Sequence, residues 1–380
     1  MRIREDINKE QLADVKANIS NFTSQVSSLK SHFSHLTSQV SPLTSHISHL
    51  LIFLLTISIT TAQDIHFSQF EQSPLNLNPA QTGLFDGDYR FTGNHRNQWS
   101  SITVPYVTFS ASADARVTQF KMKKAFLGVG LLFNTDKAGD GNFGTNQITL
   151  SLAYHRVINA DSTFIVSVGG NFGYNQNSVD YNNFYFGNQY NGSQFDSNIS
   201  NDEFFSQDNL HYFDFSLGLN TMYEFENHYK LNIGIAFMHL NSPEKSFYDN
   251  DESELPNKYN FHSSIDIPIK EKHSIVPSVV YYRQGTFNEL YLGGKFRYAL
   301  KDVNFRNVYA GIWTRTGDAA IFMLGMDYKS WNLGISYDVN YSKLKTVSNG
   351  QGGYEISLIY IFSRPEEIYV PKKYQCPGFM

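Results

Sequence analysis

From residue 88 onward, apolar and polar side chains alternate along the chain with a period of two. In the stretch TNQITLSLAYHR, Ile148, Leu150 and Leu152 share one face, and polar side chains lie between them. This alternation is typical of a β-strand with one apolar face. The pattern recurs in about fourteen segments of ~9 to 13 residues, with predicted centres near residues 93, 110, 129, 150, 168, 217, 234, 263, 278, 293, 310, 323, 336 and 358.

The length of these segments distinguishes between two kinds of β protein. A tilted strand crosses a bilayer with about 9 to 11 residues, whereas strands of soluble sandwiches usually have about 5 to 6. Aromatic residues such as Tyr106, Tyr154 and Tyr174 also lie at segment ends, where the interfacial girdles of membrane barrels are found. The pattern therefore predicts an all-β fold, a transmembrane antiparallel β-barrel of the outer-membrane type with about 14 strands.

The connections between the segments give a second indication. If the N-terminus is periplasmic, the odd-numbered connections face outward, and outward connections are the longer ones in bacterial barrels. Most even-numbered connections are short, as at 226–228 and 329–330. The connections predicted to be long are the third, fifth, seventh and thirteenth, near 136–143, 175–209, 240–257 and 342–352.

Composition agrees with a barrel and excludes some functions. Aromatic residues make up 15% and charged residues only 17% of the chain, a mixture that favours strands. The net charge of −5 leaves no basic face for nucleic acid. A mean hydropathy of −0.35 is compatible with a membrane barrel, because only every second residue of its strands faces lipid.

The N-terminal region predicts export. An apolar run, LLIFLLTISI, precedes the small-residue site TTAQ, so residues 50–62 are predicted to be a signal peptide core with cleavage after Ala62. Ten apolar residues are too few for a spanning helix, which needs about 20. Residues 1–49 are a low-complexity extension. Its Ser/His/Thr-rich part has no charged residue after Lys30, whereas an ordinary signal peptide has a positively charged segment directly before its apolar core.

Residues 63–87 show neither helical nor strand periodicity. Pro74 and Pro79 cannot donate to a strand ladder and disfavour helix before them. The segment is predicted to be an extended periplasmic lead-in tucked into the barrel lumen, and a disordered linker is the alternative. The barrel itself is predicted over 88–363, followed by a periplasmic tail over 364–380.

The sequence contains none of the common motifs for catalysis or cofactor binding. The chain has no nucleophile elbow, zinc-protease helix, P-loop or dinucleotide fingerprint. Its single cysteine, Cys376, excludes a disulfide within one chain and any cysteine-based zinc site. We therefore predict no enzyme, no metal and no cofactor, while a lipid-modifying barrel enzyme stays open as a minor alternative.

Two regions are candidates for binding a partner. The segment 175–209 has nine Asn, five acidic residues and no Lys or Arg, with many aromatic side chains of the kind that anchor protein interfaces. Its alternative is a loop folded over its own barrel mouth. The tail contributes further candidates because it has no lipid to cover. The full set is Tyr181, Phe184, Tyr185, Phe186, Tyr190, Phe204, Phe205, Tyr369, Cys376 and Phe379.

A family resemblance rests on four stretches that follow the signal peptide. They are QDIHFSQFEQSPLNLNPAQTG, NHRNQW, PYVTFSASADAR and the tail QCPGF. Together they resemble the PorP/SprF family of Bacteroidetes outer-membrane proteins over roughly residues 63–380. The resemblance implies an outer-membrane accessory of type IX secretion that assists export or surface retention of a secreted protein such as a gliding adhesin.

The resemblance also implies partners. They would be outer-membrane lipid, the C-terminal region of the secreted surface protein or adhesin, and the periplasmic ring proteins of the secretion machinery. The alternative function is an outer-membrane diffusion channel or solute transporter, because fourteen strands can enclose a lumen. The inward faces are expected to carry Asn, Ser and Thr with few charges, without the arginine ladder of a porin constriction.

Overall fold

The computed structural model describes most of the chain from Asp64 onward. Predictions that concern the extension, the signal peptide and the tail beyond Arg364 lie outside the described residues. The described ranges are 64–101, 104–118, 124–139, 141–196, 198–200, 207–247, 253–343 and 345–364.

Fourteen strands form one closed antiparallel sheet, so the predicted barrel is confirmed. Each predicted centre falls within one of these strands, although several strands are longer than predicted, up to 16 residues. The strands are β1 (Tyr89–Gln98), β2 (Tyr106–Val117), β3 (Ala125–Ala138), β4 (Phe143–Val157), β5 (Phe164–Ser178), β6 (Asn209–Glu224), β7 (Lys230–Met238), β8 (Lys258–Lys270), β9 (His273–Gln284), β10 (Phe287–Ala299), β11 (Phe305–Arg315), β12 (Ala319–Tyr328), β13 (Trp331–Asn340) and β14 (Gln351–Phe362).

The first and last strands close the barrel by pairing with each other. Their register runs from Tyr89 opposite Phe362 to Gln98 opposite Gly353. Every other strand pairs with its two neighbours in sequence. Closure removes the unpaired sheet edges that would leave backbone N–H and C=O groups without partners inside a bilayer.

The two faces of the wall have opposite polarity. On β4, Leu150 and Leu152 are exposed on the outside, while Thr149 and Ser151 between them are buried toward the lumen. A water-soluble barrel would place its apolar residues inside. An apolar outer surface is stable only against lipid, so the alternation matches a membrane-spanning wall.

The long connections lie at one end of the barrel, which we call the outer end. They are residues 179–208, 239–257 and 341–350, the fifth, seventh and thirteenth connections. The third connection was predicted to be long, but it contains only residues 139–142 because β3 and β4 stay paired up to Ala138 and Phe143. Outer-membrane barrels carry their longer loops on the extracellular side.

Residues 64–83 lie inside the barrel, and we call them the plug. They are not extended as predicted, since they contain a 3₁₀ turn at Phe70–Gln72, the short helix α1 (Pro74–Leu77) and a 3₁₀ turn at Pro79–Gln81. Two of these turns begin at a proline, whose missing N–H needs no partner at a helix start. The outer connections add 3₁₀ turns at Tyr181–Asn183 and Gly187–Gln189 and the helix α2 (Lys345–Ser348).

Candidate functional site: a filled lumen and an ordered outer rim

The plug starts at the outer end of the lumen, where Asp64 is anchored by two cations. Its carboxylate lies 3.3 Å from Nζ of Lys258 and 3.2 Å from Nε2 of His239. The other ring nitrogen of His239 lies 3.0 Å from the Asp214 carboxylate on β6. Burial lowers the pKa of His239, but hydrogen bonds with the two carboxylates outweigh burial and raise this pKa to about 9. The imidazolium is therefore the form that bridges the plug to the wall.

The next residues of the plug are held by one carboxylate of β14. The backbone N–H groups of Ser68 and Gln69 donate to the two oxygens of Glu355 at 2.7 and 2.8 Å. Arg96 on β1 pairs with the same carboxylate at 3.1 Å and also donates to the carbonyl of His66 at 2.7 Å. These groups are buried, so removing one partner would leave a charge uncompensated. The network fixes the plug in one position.

An aromatic side chain of the plug enters an apolar pocket of the wall. Phe70 packs edge-on against Tyr291 and Trp313, with ring centroids 6.1 and 6.3 Å apart. The indole N–H of Trp313 donates to the hydroxyl of Ser278 at 2.8 Å, so its polar group is satisfied. The complete cluster is Phe70, Leu77, Val280, Tyr282, Tyr291, Trp313, Ile321 and Met323. It gives the lumen a small hydrophobic core.

The second half of the plug approaches the wall backbone through Asn78. Its amide donates to the carbonyls of Leu219 on β6 and Ile235 on β7, at 2.9 and 3.3 Å. A side chain at the neighbouring inward position, Gly218, is excluded, because a Cβ there would lie 2.0 Å from the Asn78 oxygen. The turn at Asn78 can therefore approach the barrel wall this closely only because the wall residue is glycine.

The turn that follows rests on two further inward glycines. A Cβ on Gly128 would lie 1.8 Å from the carbonyl oxygen of Thr82, and one on Gly169 would lie 2.5 Å from that of Pro79. Nε2 of His155 on β4 lies 2.7 Å from the same Thr82 carbonyl. We call Gly128, Gly169 and Gly218 the glycine seat. It lets backbone lie directly on backbone.

The plug leaves the lumen at the end opposite to its start. The N–H of Gly83 donates to Asp114 at 2.7 Å, and Arg90 forms two hydrogen bonds with the same carboxylate, at 2.9 and 2.7 Å. Asp114 is near the end of β2 and Arg90 near the start of β1, on the side away from the long connections. The plug therefore crosses the lumen from the outer to the inner end and contacts strands on all sides.

The lumen-facing sides of the strands carry more charged residues than was expected from the sequence. Arginines at 90, 96, 297 and 315 point into the lumen, and each pairs with a carboxylate of the wall. Arg315, for example, lies 3.0 Å from Asp338, which also accepts from the hydroxyl of Ser68 at 2.8 Å. The expectation of few inward charges was wrong because each of these charges is isolated within its own strand, and its partner lies on another strand. The sequence did contain a signal for these arginines, because each occupies an inward position of the period-two pattern.

The aromatic residues predicted for partner binding fall into two groups. Tyr181, Phe184 and Phe186 are half-buried, and the Phe184 ring contacts rings of both of the others at centroid distances of 6.0 and 6.2 Å. Tyr185 and Tyr190 are instead 77% and 57% exposed. Five further candidates, Phe204, Phe205, Tyr369, Cys376 and Phe379, lie outside the described residues.

An exposed aromatic surface also includes a residue that the sequence analysis did not select. Phe195 is 38% exposed, packs edge-on against Tyr185 at 4.6 Å and forms an antiparallel bridge with Tyr190. Its signal in the sequence was the run of aromatic residues in an acidic, lysine-free segment. We call Tyr185, Tyr190 and Phe195 the aromatic patch.

Two negative findings apply to the described ranges. Within them, no group of three or more His, Cys, Asp or Glu side chains is arranged to hold a metal ion. Among the same residues there is no helix that is long and apolar enough to cross a membrane.

A closed fourteen-stranded barrel with an apolar exterior, long connections at one end and a lumen filled by its own chain is a plugged outer-membrane β-barrel protein. The chain belongs to the PorP/SprF family, because the model of the family described as type IX secretion system membrane protein PorP/SprF matches residues 59–360. The resemblance found in the sequence is thereby confirmed. No curated protein matches the sequence.

Several solved barrels are similar to this chain. The CymD monoaromatic hydrocarbon channel is 12% identical, with a TM-score of 0.45, over 80% of this chain and 95% of its own. The Ralstonia pickettii toluene transporter TbuX is 10% identical, with a TM-score of 0.45, over 80% and 96%. The KdgM porin is 10% identical, with a TM-score of 0.34, over 72% and 99%. All three TM-scores are below 0.5, so none of these structures bears on the activity of this chain.

Proposed function

We propose that this protein is an accessory component of type IX secretion that assists the export or surface retention of a secreted protein such as a gliding adhesin. It acts by binding and assembly and catalyses no reaction. The observation that carries the proposal is the plug, which is bonded to both ends of the lumen and around its circumference. A lumen occupied by its own chain favours a binding role over diffusion of a solute.

The two ends of the barrel suggest two kinds of contact. In this proposal the signal peptide at 50–62 directs export, and the outer connections meet the C-terminal region of the secreted protein. The tail, 364–380, contacts the periplasmic ring proteins of the secretion machinery. This division is supported by family membership and by the position of the long connections at one end.

Conductance and surface display together test the proposal. The full-length protein in a planar lipid bilayer is expected to show no steady ion-conducting steps, because the plug fills the lumen. Cells lacking the protein are expected to lose surface display of the secreted protein, and the wild-type gene should restore it. Steady conductance together with normal display in the deletion strain would support the channel alternative instead.

The tail provides a sharper test of the assembly role. Deletion of residues 365–380 is expected to leave membrane insertion intact, because β14 ends at Phe362 and the barrel is already closed. Surface display of the secreted protein should be lost, because the tail is proposed to contact the periplasmic ring proteins. Heat-dependent gel mobility controls for folding. A folded truncation with normal display would show that the tail has no part in secretion.

A further inference from the structure

The aromatic patch stands on an ordered part of the outer rim. The fifth connection closes a short hairpin where Tyr190 bridges Phe195, and the N–H of Asp196 donates to the carbonyl of Gln189 at 2.9 Å. The amide of Gln207 donates to the carbonyl of Ser246 at 3.1 Å, which joins the fifth connection to the seventh. The exposed rings are therefore held in place before any partner binds, which lowers the entropic cost of binding.

The barrel end that carries the aromatic patch is more acidic than the opposite end. The seven connections of the outer end contain twelve Asp or Glu and three Lys, whereas the six inner connections contain four Asp or Glu and six Lys. Ten of the twelve outer acids belong to the fifth and seventh connections, 179–208 and 239–257. Their one lysine, Lys245, is half-buried beside the ring of Phe143, and His239 is buried between Asp64 and Asp214. The aromatic patch thus belongs to the acidic end of the barrel.

Two glutamates of the seventh connection, Glu244 and Glu254, are backbone bridge partners, and we call them the acidic rim. Glu244 and Glu254 are paired in an isolated antiparallel bridge at the base of the seventh connection, and both are exposed. Neither forms an ion pair within the described residues. Like charges placed directly opposite on two strands destabilise the pairing. A cationic group placed between the two carboxylates would relieve this repulsion.

The charge also discriminates between the possible occupants of the patch. An acidic surface is repelled by anionic lipid headgroups and by a second copy of the same acidic rim. A basic polypeptide is attracted to it, and exposed Tyr and Phe side chains are among the residues that anchor protein interfaces. Polypeptide is therefore favoured over a lipid surface.

We propose that the aromatic patch and its acidic rim dock a basic polypeptide region of the secreted protein. The inference rests on the proposed function and adds the chemistry of the partner. The rings of Tyr185 and Tyr190 supply the apolar contacts, and Glu244 and Glu254 select lysine and arginine over acidic side chains. Such a contact should weaken as ionic strength rises, because exposed ion pairs are screened by salt.

Two synthetic peptides test the charge preference. They share the same length and the same aromatic residues and differ only in having Lys or Glu at every polar position. Binding to the purified full-length protein in detergent is followed by fluorescence anisotropy of the labelled peptide. The Lys peptide is expected to bind at low ionic strength and to lose about tenfold in affinity at high ionic strength. Equal binding of the two peptides would overturn the proposal.

Matched variants locate the binding. Tyr185→Ala with Tyr190→Ala should weaken binding of the Lys peptide by about ten- to a hundredfold, as loss of two anchoring rings does. Tyr337→Ala, on the lipid face of β13, is the control and should change nothing. Unchanged binding in the double tyrosine variant would contradict the proposal. So would a detergent-stable dimer that dissociates in this variant, because the patch would then be a self-interface.

Charge reversal separates this inference from the proposed function. Glu244→Lys with Glu254→Lys should abolish peptide binding, whereas Glu226→Lys with Glu271→Lys, at the inner end, should leave it intact. Equal effects of the two pairs would show that the acidic rim is not the binding surface. Loss of display in the rim variant would support both proposals. Normal display in every rim variant would overturn docking here, while loss of display in the deletion strain would still support the proposed function.

Discussion

The two faces of β4 place their side chains in different environments. Leu150 is 44% exposed on the apolar outside of the wall, whereas Gln147 faces the lumen and accepts a hydrogen bond from Asn134 at 3.0 Å. Burial alone does not describe this difference, because an exposed leucine is stable only if the surrounding medium is lipid. The same substitution on the two faces therefore measures the environment of each.

Leu150→Lys is expected to lower the free energy of unfolding by about 2 to 4 kcal/mol, the cost of a lysine near the bilayer midplane. Gln147→Lys should cost about 1 kcal/mol, because the charge enters the polar lumen and only one hydrogen bond is lost. Denaturant unfolding of the protein in lipid vesicles measures both values. Equal losses would show that the assigned register of β4 is wrong.

The contact between His239 and Asp64 makes the outer anchor of the plug sensitive to pH. The folded state raises the pKa of His239 to about 9 from an ordinary value of 6.5, so it binds the proton more tightly than the unfolded state. Its contribution is then fully present below pH 6.5 and is lost as pH rises through about 9. Burial raises the pKa of Asp64, but Lys258 and His239 outweigh burial and hold that pKa well below its usual range. Asp64 therefore stays charged throughout this window.

Hydrogen-exchange protection of the amides at 66–70, corrected for intrinsic exchange at each pH, is expected to fall between pH 6.5 and about 9. The loss reflects deprotonation of the imidazolium that bridges Asp64 and Asp214. A His239→Gln variant has no titrating group there, so its protection should be lower and independent of pH in this window. If wild type and variant share one pH profile, His239 is not the anchor.

At the scale of elements, the plug and the wall fit through glycine rather than through side chains. The glycine seat is distributed over β3, β5 and β6, and each of its members faces the lumen. Glycines inside strands usually weaken them, so their presence here has a reason in the close approach of another backbone. The plug is therefore an integral part of the folded barrel.

Gly218→Val should displace the turn around Asn78, because even a Cβ at this position meets the amide oxygen at 2.0 Å. Overpacking of this kind costs about 1 to 3 kcal/mol. Faster hydrogen exchange over residues 74–83 and the appearance of ion conductance are the expected readouts. Gly93→Val is the matched control, since a Cβ at this strand glycine meets nothing within 4 Å. Similar hydrogen exchange and conductance in the two variants would contradict the proposed role of the glycine seat.

For the whole molecule, closure of fourteen strands with an apolar exterior predicts membrane behaviour. The protein is expected to fractionate with outer membranes and to run anomalously on a detergent gel until it is heated, because a closed hydrogen-bonded wall unfolds slowly. Gel mobility with and without heating, on separated membranes, checks both points. Recovery as a soluble periplasmic protein would contradict the assignment.

Local pattern determined most of the wall. The alternation in each strand depends on the side chains of that strand alone, so fourteen strand positions and the lipid face of residues such as Leu150 could be predicted from the sequence. The third connection was mispredicted because pairing between β3 and β4 continues past the point where the apolar alternation weakens. Hydrogen bonding between strands depends on two segments, so the sequence of one strand does not reveal how far the pairing extends.

The sequence by itself determined a membrane barrel, its strand number, the polarity of its two faces and its family. The sequence predicted that residues 63–87 lie in the lumen, but only the tertiary structure decided how they fold and what holds them there, because the partners of Asp64, Ser68 and Asn78 lie about 140 to 290 residues further along the chain. Such pairs leave no local period for a sequence to reveal. The same reason explains why Phe195 was missed, since its role depends on rings that the fold of the loop brings against it.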